Sequence, residues 1–321
     1  MDKHGKSDLG RKYIAATNMI ETIPLFTSSG SVQRAEERLQ TLLPGIYRNR
    51  TDAVQPVSMG SAPLAFDIDG NVAWDRMWGS FCDLAMAGGP PHKGRLLEPG
   101  TPDSIRAEPD RYAEICEEIA RGIGLAARLQ AAQSCLPGWM RVQCSSHTMA
   151  EWLLRAIAME NVSVRLDGDA ILLPAGPTFR VEKEMKNVVT VVAKTGHYWG
   201  GHLIRLQRLG IANLFAQLDS EAPLLQPAWN PAADSTEARE GIQRALEDAT
   251  GLRVTNHSYP EWIGLDCFTV PSAITTMRRI VASNILCRRE ETAIFLPLNP
   301  AADPLGARLR HAVSELLAMN A

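Results

Sequence analysis

From Trp139 the chain alternates apolar and polar side chains through WMRVQC, placing Met140, Val142 and Cys144 on one side and Arg141 and Gln143 on the other. That period of two predicts a strand. In HTMAEWLLRAIAMEN the period changes, and Met149, Trp152, Leu153, Ala156 and Ile157 recur at three- and four-residue spacing up to Asn161. This predicts a helix with one apolar face, stopped at an asparagine that tolerates the left-handed conformation. VSVR and AILLP follow, two short apolar runs joined through Leu166-Asp167-Gly168-Asp169. Asp-Gly between such runs predicts a hairpin. A second helix is predicted over VEKEMKNVVTVVAKT after Pro177.

The same order of patterns returns 123 positions later. Trp139 falls on Trp262, Cys144 on Cys267, Arg155 on Arg278, Asn161 on Asn284, Arg165 on Arg288, Ile171 on Ile294, Leu173 on Leu296, Pro174 on Pro297 and Pro177 on Pro300, with no gap. About a dozen identities in roughly forty positions make this an internal repeat. In the second copy Ile274, Met277 and Ile280 form the helical face, Glu290-Glu291 stands in for the Asp-Gly turn, and the last helix starts after Pro304. The fold class expected is α+β, built from duplicated β-α-β-β-α units resembling ferredoxin-like halves, with helices packed on antiparallel or mixed sheets. A diverged third unit is expected upstream: strand PLAFDI, helix NVAWDRMWGSFCDLAMAG, strand GRLLEP, helix RYAEICEEIARGIGLAARL. The organisation expected is an N-terminal α/β module over 1–135, a first repeat over 136–217, a linker over 218–257 and a second repeat over 258–321. Between the matching stretches a helix is expected through His202–Phe215, then the Pro-rich loop EAPLLQPAWNPAA, and in the linker a helix capped by Asp234 with Glu237 and ending at Gly251.

Composition narrows the partners. The 321 residues carry a formal charge of −3, with 45% hydrophobic and 21% charged residues. That leaves no basic surplus for a phosphate backbone or an anionic membrane surface, so neither nucleic acid nor a membrane is expected as a partner. No apolar run is long enough to span a bilayer and the N-terminus lacks a signal-like core, so a soluble cytoplasmic protein with a small-molecule ligand is expected. Six cysteines without a C-x-x-C pair are expected to stay reduced.

A repeat also sorts the candidate chemistry. Residues kept in both copies are explained by the fold; reactive residues present in one copy need another reason. His147, opposite Val270, stands at a strand-to-helix junction where it could act as acid or base, while Ser145 and Ser146 could simply cap the helix. GGPPHKGR brings His92, Lys93 and Arg95 into one stiff turn suited to an anion. Lys186, Asn187, Thr190 and Lys194 share a helix face, followed closely by His197, Trp199 and His202. His197 and Lys194 are thus an acid/base group and a charge-balancing group, with Lys186, Asn187 and Trp199 as binding residues. His197 and His202 are the metal-ligand pair, although five α-helical residues would set them about 140° apart. A divalent metal is the cofactor class considered, and no cofactor is identified.

The segment LAFDIDGN resembles the nucleophile motif of haloacid-dehalogenase-type phosphatases, over these residues alone. The resemblance implies Asp67 as nucleophile and Asp69 as acid/base. Asn71 departs from the Thr or Val usual there, and no later acidic magnesium motif follows. The function expected is a non-redox enzyme of small-molecule or cofactor metabolism acting on an anionic substrate by acid/base chemistry. The alternatives are a noncatalytic metabolite- or metal-binding or delivery protein, and a phosphatase-like use of Asp67 and Asp69. These groups are expected to meet where the N-terminal module joins the first repeat.

Overall fold

The computed structural model describes residues 28–48, 63–78, 81, 83–229, 236–257 and 259–317. Along the chain these form α1 (Ser28–Leu42), α2 (Pro102–Ala107), α3 (Pro109–Ala127), β1 (Ala131–Gln133), β2 (Trp139–Gln143), α4 (His147–Met159), β3 (Arg165–Asp167), β4 (Ala170–Pro174) and α5 (Lys186–His197). Beyond them lie α6 (Arg205–Glu221), α7 (Thr236–Thr250), β5 (Trp262–Asp266), α8 (Val270–Val281), β6 (Arg288–Glu290), β7 (Ala293–Pro297) and α9 (Ala307–Leu317). The fold is α+β, with two small antiparallel sheets ordered β1-β2-β4-β3 and β5-β7-β6.

The two sheets correspond pair by pair at the 123-residue offset. Trp139 faces Pro174 and Arg141 faces Leu172 in the first; Trp262 faces Pro297 and Gly264 faces Phe295 in the second. Arg165 opposite Leu172 is matched by Arg288 opposite Phe295. The correspondence starts before the tryptophans, since Ala131 pairs with Val142 as Val254 pairs with Leu265. Each β2/β5 strand then feeds a helix through a hydroxyl cap, Ser146 accepting from Met149 N–H and Thr269 from Ser272 N–H. Asn161 and Asn284 follow these helices at φ +61° and +59°, the left-handed geometry that asparagine accepts readily. Met140, Val142, Ile171 and Leu173 are buried, as are Ile263, Leu265, Ile294 and Leu296. α4 packs on β4, and α8 on β7. The helix expected in the linker, α7, packs against α9 as α3 packs against α5. Asp234, its expected cap, lies outside the described residues.

Two connecting segments stitch the units together. Leu97 makes a parallel bridge to Val162, and Leu225 makes one to Ile285. Gly100 N–H donates to Ala175 and Ala228 N–H to Leu298. These segments read LLEP (96–99) and LLQP (224–227), a likeness offset by 128 residues.

The N-terminal segment departs from expectation. Phe66 and Val72 close a short hairpin instead of opening a β-α unit, and the described residues of the expected helix over 71–88 form single 3₁₀ turns at Trp74–Arg76 and Ala85–Ala87. Tertiary bonds outcompete the helical periodicity here. Trp74 is fully buried against α3 with its indole N–H on Glu118, and the backbone N–H groups of Ala85 and His92 go to the Glu160 carboxylate.

Candidate functional site

Part of the expected cluster converges. Lys194 Nζ lies 2.8 Å from Glu160 Oε1 and donates to the Asp83 carbonyl at 3.0 Å, and both Lys194 and Glu160 are fully buried. His92 Nε2 is 3.1 Å from Asn187 Oδ1, and the backbone of His92 and Lys93 is held on Glu160. Burial pushes the His92 imidazole down to about 4, so it is neutral near pH 7. Tyr47 extends the network, donating to Asp83 Oδ1 at 2.7 Å and sharing a 2.6 Å hydrogen bond with the Tyr198 hydroxyl. These polar groups are spent on one another. They join loop 83–93 to α4 and α5. Lys186 is buried, its ammonium pushed down by desolvation, and Trp199 packs in the core against Trp152.

Other candidates stand apart. His147 is the first residue of α4, exposed, with Nδ1 on the Gly168 carbonyl at 2.9 Å. Glu160 ends that thirteen-residue helix, so His147 is about 20 Å along the axis from the Lys194 pair. Ser146 does the capping. Asp67 holds a turn: its Oδ1 accepts from the Asp69 and Asn71 N–H groups at 3.0 and 2.8 Å, and the Asn71 N–H leads the causes that lower its pKa. Asp69 is exposed in that same turn.

His197 and His202 do meet. The helix loosens to a π-turn over Tyr198–His202, which spreads one turn over more residues and brings positions five apart closer into line, and the two Nε2 atoms lie 3.1 Å from each other. Burial and the neighbouring His202 lower the His197 pKa. Among the described residues no third His, Cys, Asp or Glu completes a metal cluster.

A concavity that carries charged groups lies elsewhere, on the second sheet. A cleft of about 650 Å³ is lined by Arg95, Arg253, His257, Asp266, Glu290, Glu291 and Thr292, with Phe295 on its floor. Arg95 comes from the segment leading into LLEP, and Arg253 from the strand that precedes β5. Among the described residues neither guanidinium has an ion pair or side-chain hydrogen bond. Behind the wall, Arg288 is fully buried, stacked on Tyr259, Trp262 and Phe295, and bonded to Glu290 Oε1 at 2.6 Å and Asn161 Oδ1 at 3.1 Å. Tyr259 O–H and Leu96 N–H also donate to Glu290 Oε1.

Why the cleft is open is legible by comparison with the first sheet. There Arg141 lies across the equivalent face, donating to Asp167 Oδ2 and Gln143 Oε1, each at 2.8 Å. Its counterpart is Gly264, where a Cβ would press on Thr255 and come within 2.8 Å of Phe295. Arg95 belongs to the GGPPHKGR turn already expected to suit an anion, and Arg253 was within reach of sequence reasoning, since it stands opposite Gln130 at the 123-residue offset. The missing signal was the glycine. Comparison with family models, with curated proteins and with solved structures finds no match to this chain.

Proposed function

We propose that the protein binds an anionic small molecule in the cleft of the second sheet, between Arg95 and Arg253. The observation that carries this reading is the convergence of two guanidiniums, from separate segments, on one cavity without an internal carboxylate partner for either. Arginine forks match carboxylate and phosphate geometry, and a charge-assisted hydrogen bond contributes about 1.5–3 kcal/mol. His257 is the imidazole in the same wall. In this reading the acid/base role expected of His147 or His197 passes to it, and the protein acts as a non-redox enzyme on the bound anion. The shared register of the two sheets supports reading the units as copies of one ancestor, of which only the second keeps its face open.

Isothermal titration with inorganic phosphate and with citrate tests the binding. Arg95→Ala and Arg253→Ala should each weaken the better ligand by about tenfold or more. Absence of heat at millimolar ligand for both anions would overturn it. A second reading, a metal carrier, is favoured only by the His197–His202 pair. Metal analysis of untagged protein, with His202→Ala as control, decides that one.

A further inference from the structure

The first sheet shows, with its own side chain, what the second sheet is shaped to receive. Asp266, Ala293 and Glu290 lie in one row across β5, β7 and β6, as Gln143, Ala170 and Asp167 do across β2, β4 and β3. Residues opposite one another share a face, and Arg141 and Gly264 sit two positions earlier on that face. In the first sheet the Arg141 guanidinium occupies the space between the two ends of its row. In the second, Gly264 supplies no side chain, Thr255 and Phe295 close over its backbone, and the row carries two carboxylates, Glu290 already paired with Arg288, in place of a carboxylate and an amide.

The acceptors are partly committed, one oxygen of each carboxylate being taken up inside the protein. Asp266 Oδ1 accepts from Phe268 N–H at 2.9 Å, and Glu290 Oε1 takes Arg288, Tyr259 and Leu96. Among the described residues no hydrogen bond is made to Asp266 Oδ2 or Glu290 Oε2, and both residues line the cavity. Each carboxylate thus keeps one oxygen free to accept from a ligand in the cleft.

We propose that the ligand carries a cationic, multiply donating group of the guanidinium or amidinium type, seated between Asp266 and Glu290 where Arg141 lies in the first sheet. This rests on the cleft being the binding site. The anionic end then reaches Arg95 and Arg253, making the ligand class zwitterionic, and Glu291 and Thr292 border the path between the two ends. A cation alone would meet Arg95 and Arg253 without an answering charge; an anion alone would meet Asp266 and Glu291, which have no cationic partner among the described residues, Glu290 being paired with Arg288.

The test uses the full chain and three probes: agmatine, which has the guanidinium without a carboxylate; L-arginine, which has both; and inorganic phosphate. Wild-type protein should bind L-arginine more tightly than agmatine. Asp266→Asn, which keeps the turn to Phe268, should weaken both by tenfold or more while leaving phosphate unchanged or tighter, because a negative charge has been removed from its surroundings. Gly264→Arg should supply the seat with an internal guanidinium, and since its Cβ meets Phe295 and Thr255, the triple variant Gly264→Arg, Thr255→Ala, Phe295→Leu, which restores the first sheet's residues, is the paired control. Verified as folded by its thermal transition, the triple variant should lose agmatine and L-arginine binding by tenfold or more. Unchanged affinity of both guanidinium probes for Asp266→Asn, or binding of phosphate with no guanidinium binding at all, would overturn the cationic seat and leave the anion reading standing. Agmatine binding without phosphate binding would do the reverse, and silence of all three probes would overturn both.

Discussion

Lys194 carries an ammonium into the interior, and its worth is set by Glu160. A buried pair of this kind is a poor source of net stability but a costly one to break, because the surviving partner is left charged and dry. Lys194→Met should therefore destabilise the protein by about 3–5 kcal/mol in urea denaturation, whereas Lys194→Met combined with Glu160→Gln should recover part of that loss. From its helix face Lys194 is expected to balance the charge of a ligand; full burial against Glu160 gives its ammonium a structural partner instead. His92 makes a second residue-level prediction. Its folded pKa, about 4, lies below the ordinary 6.5. The unfolded chain therefore takes up a proton first as pH falls, and stability drops between about pH 6.5 and 4. His92→Gln, which keeps a donor toward Asn187, should flatten this part of the stability–pH curve by roughly 2 kcal/mol relative to wild type. Equal slopes in the two proteins would contradict it.

Strands and helices were legible wherever local pattern and tertiary demand agree. The alternation in WMRVQC, the Asp-Gly turn and the helix stop at Asn161 all reappear, and Gly168 takes the positive φ of +58° such a turn needs. Two things defeated the pattern. Over 71–88 the periodicity is helical, yet buried Trp74 and the Glu160 carboxylate draw the backbone into turns. At 198–202 the α-helical spacing separates the two histidines, while the π-turn brings them closer into line. The cleft was hidden for a different reason, because Gly264 is informative only beside Arg141, and LLEP and LLQP are offset by 128 residues rather than 123, so an ungapped comparison passes over them. At this scale the cross-links between elements are testable. Asn161 donates to the Lys93 and Arg289 carbonyls and accepts from Arg288. Asn161→Ala should cost about 2–4 kcal/mol, from the positive φ and from the Arg288 and carbonyl groups left unpaired. Asn161→Gly, which accepts the φ, should lose less.

Across the whole molecule the thiols give an independent reading of packing. Five described cysteines are unpaired; Cys116, Cys144, Cys267 and Cys287 are buried and Cys135 is exposed. Burial raises the four buried thiols, Cys116 and Cys267 to about 11 and Cys144 to about 12. Residue-resolved alkylation at pH 7.5 should label Cys135 in minutes and those four only on the timescale of unfolding. No helix among the described residues is long and apolar enough to cross a membrane.

The asparagines after α4 and α8 have one more implication. Asn284 accepts from Arg155 Nη2 at 2.6 Å, and Asn161 accepts from Arg288, so each unit holds a buried arginine that is answered by a residue in the other. Opening either unit alone would take an acceptor from its neighbour's buried arginine and leave only Glu151 or Glu290 to answer it. Such a chain has no cheap half-open state: hydrogen exchange at the centres of β4 and β7 should report one common opening free energy, and a gene cut between the units should yield two fragments that fold only when mixed.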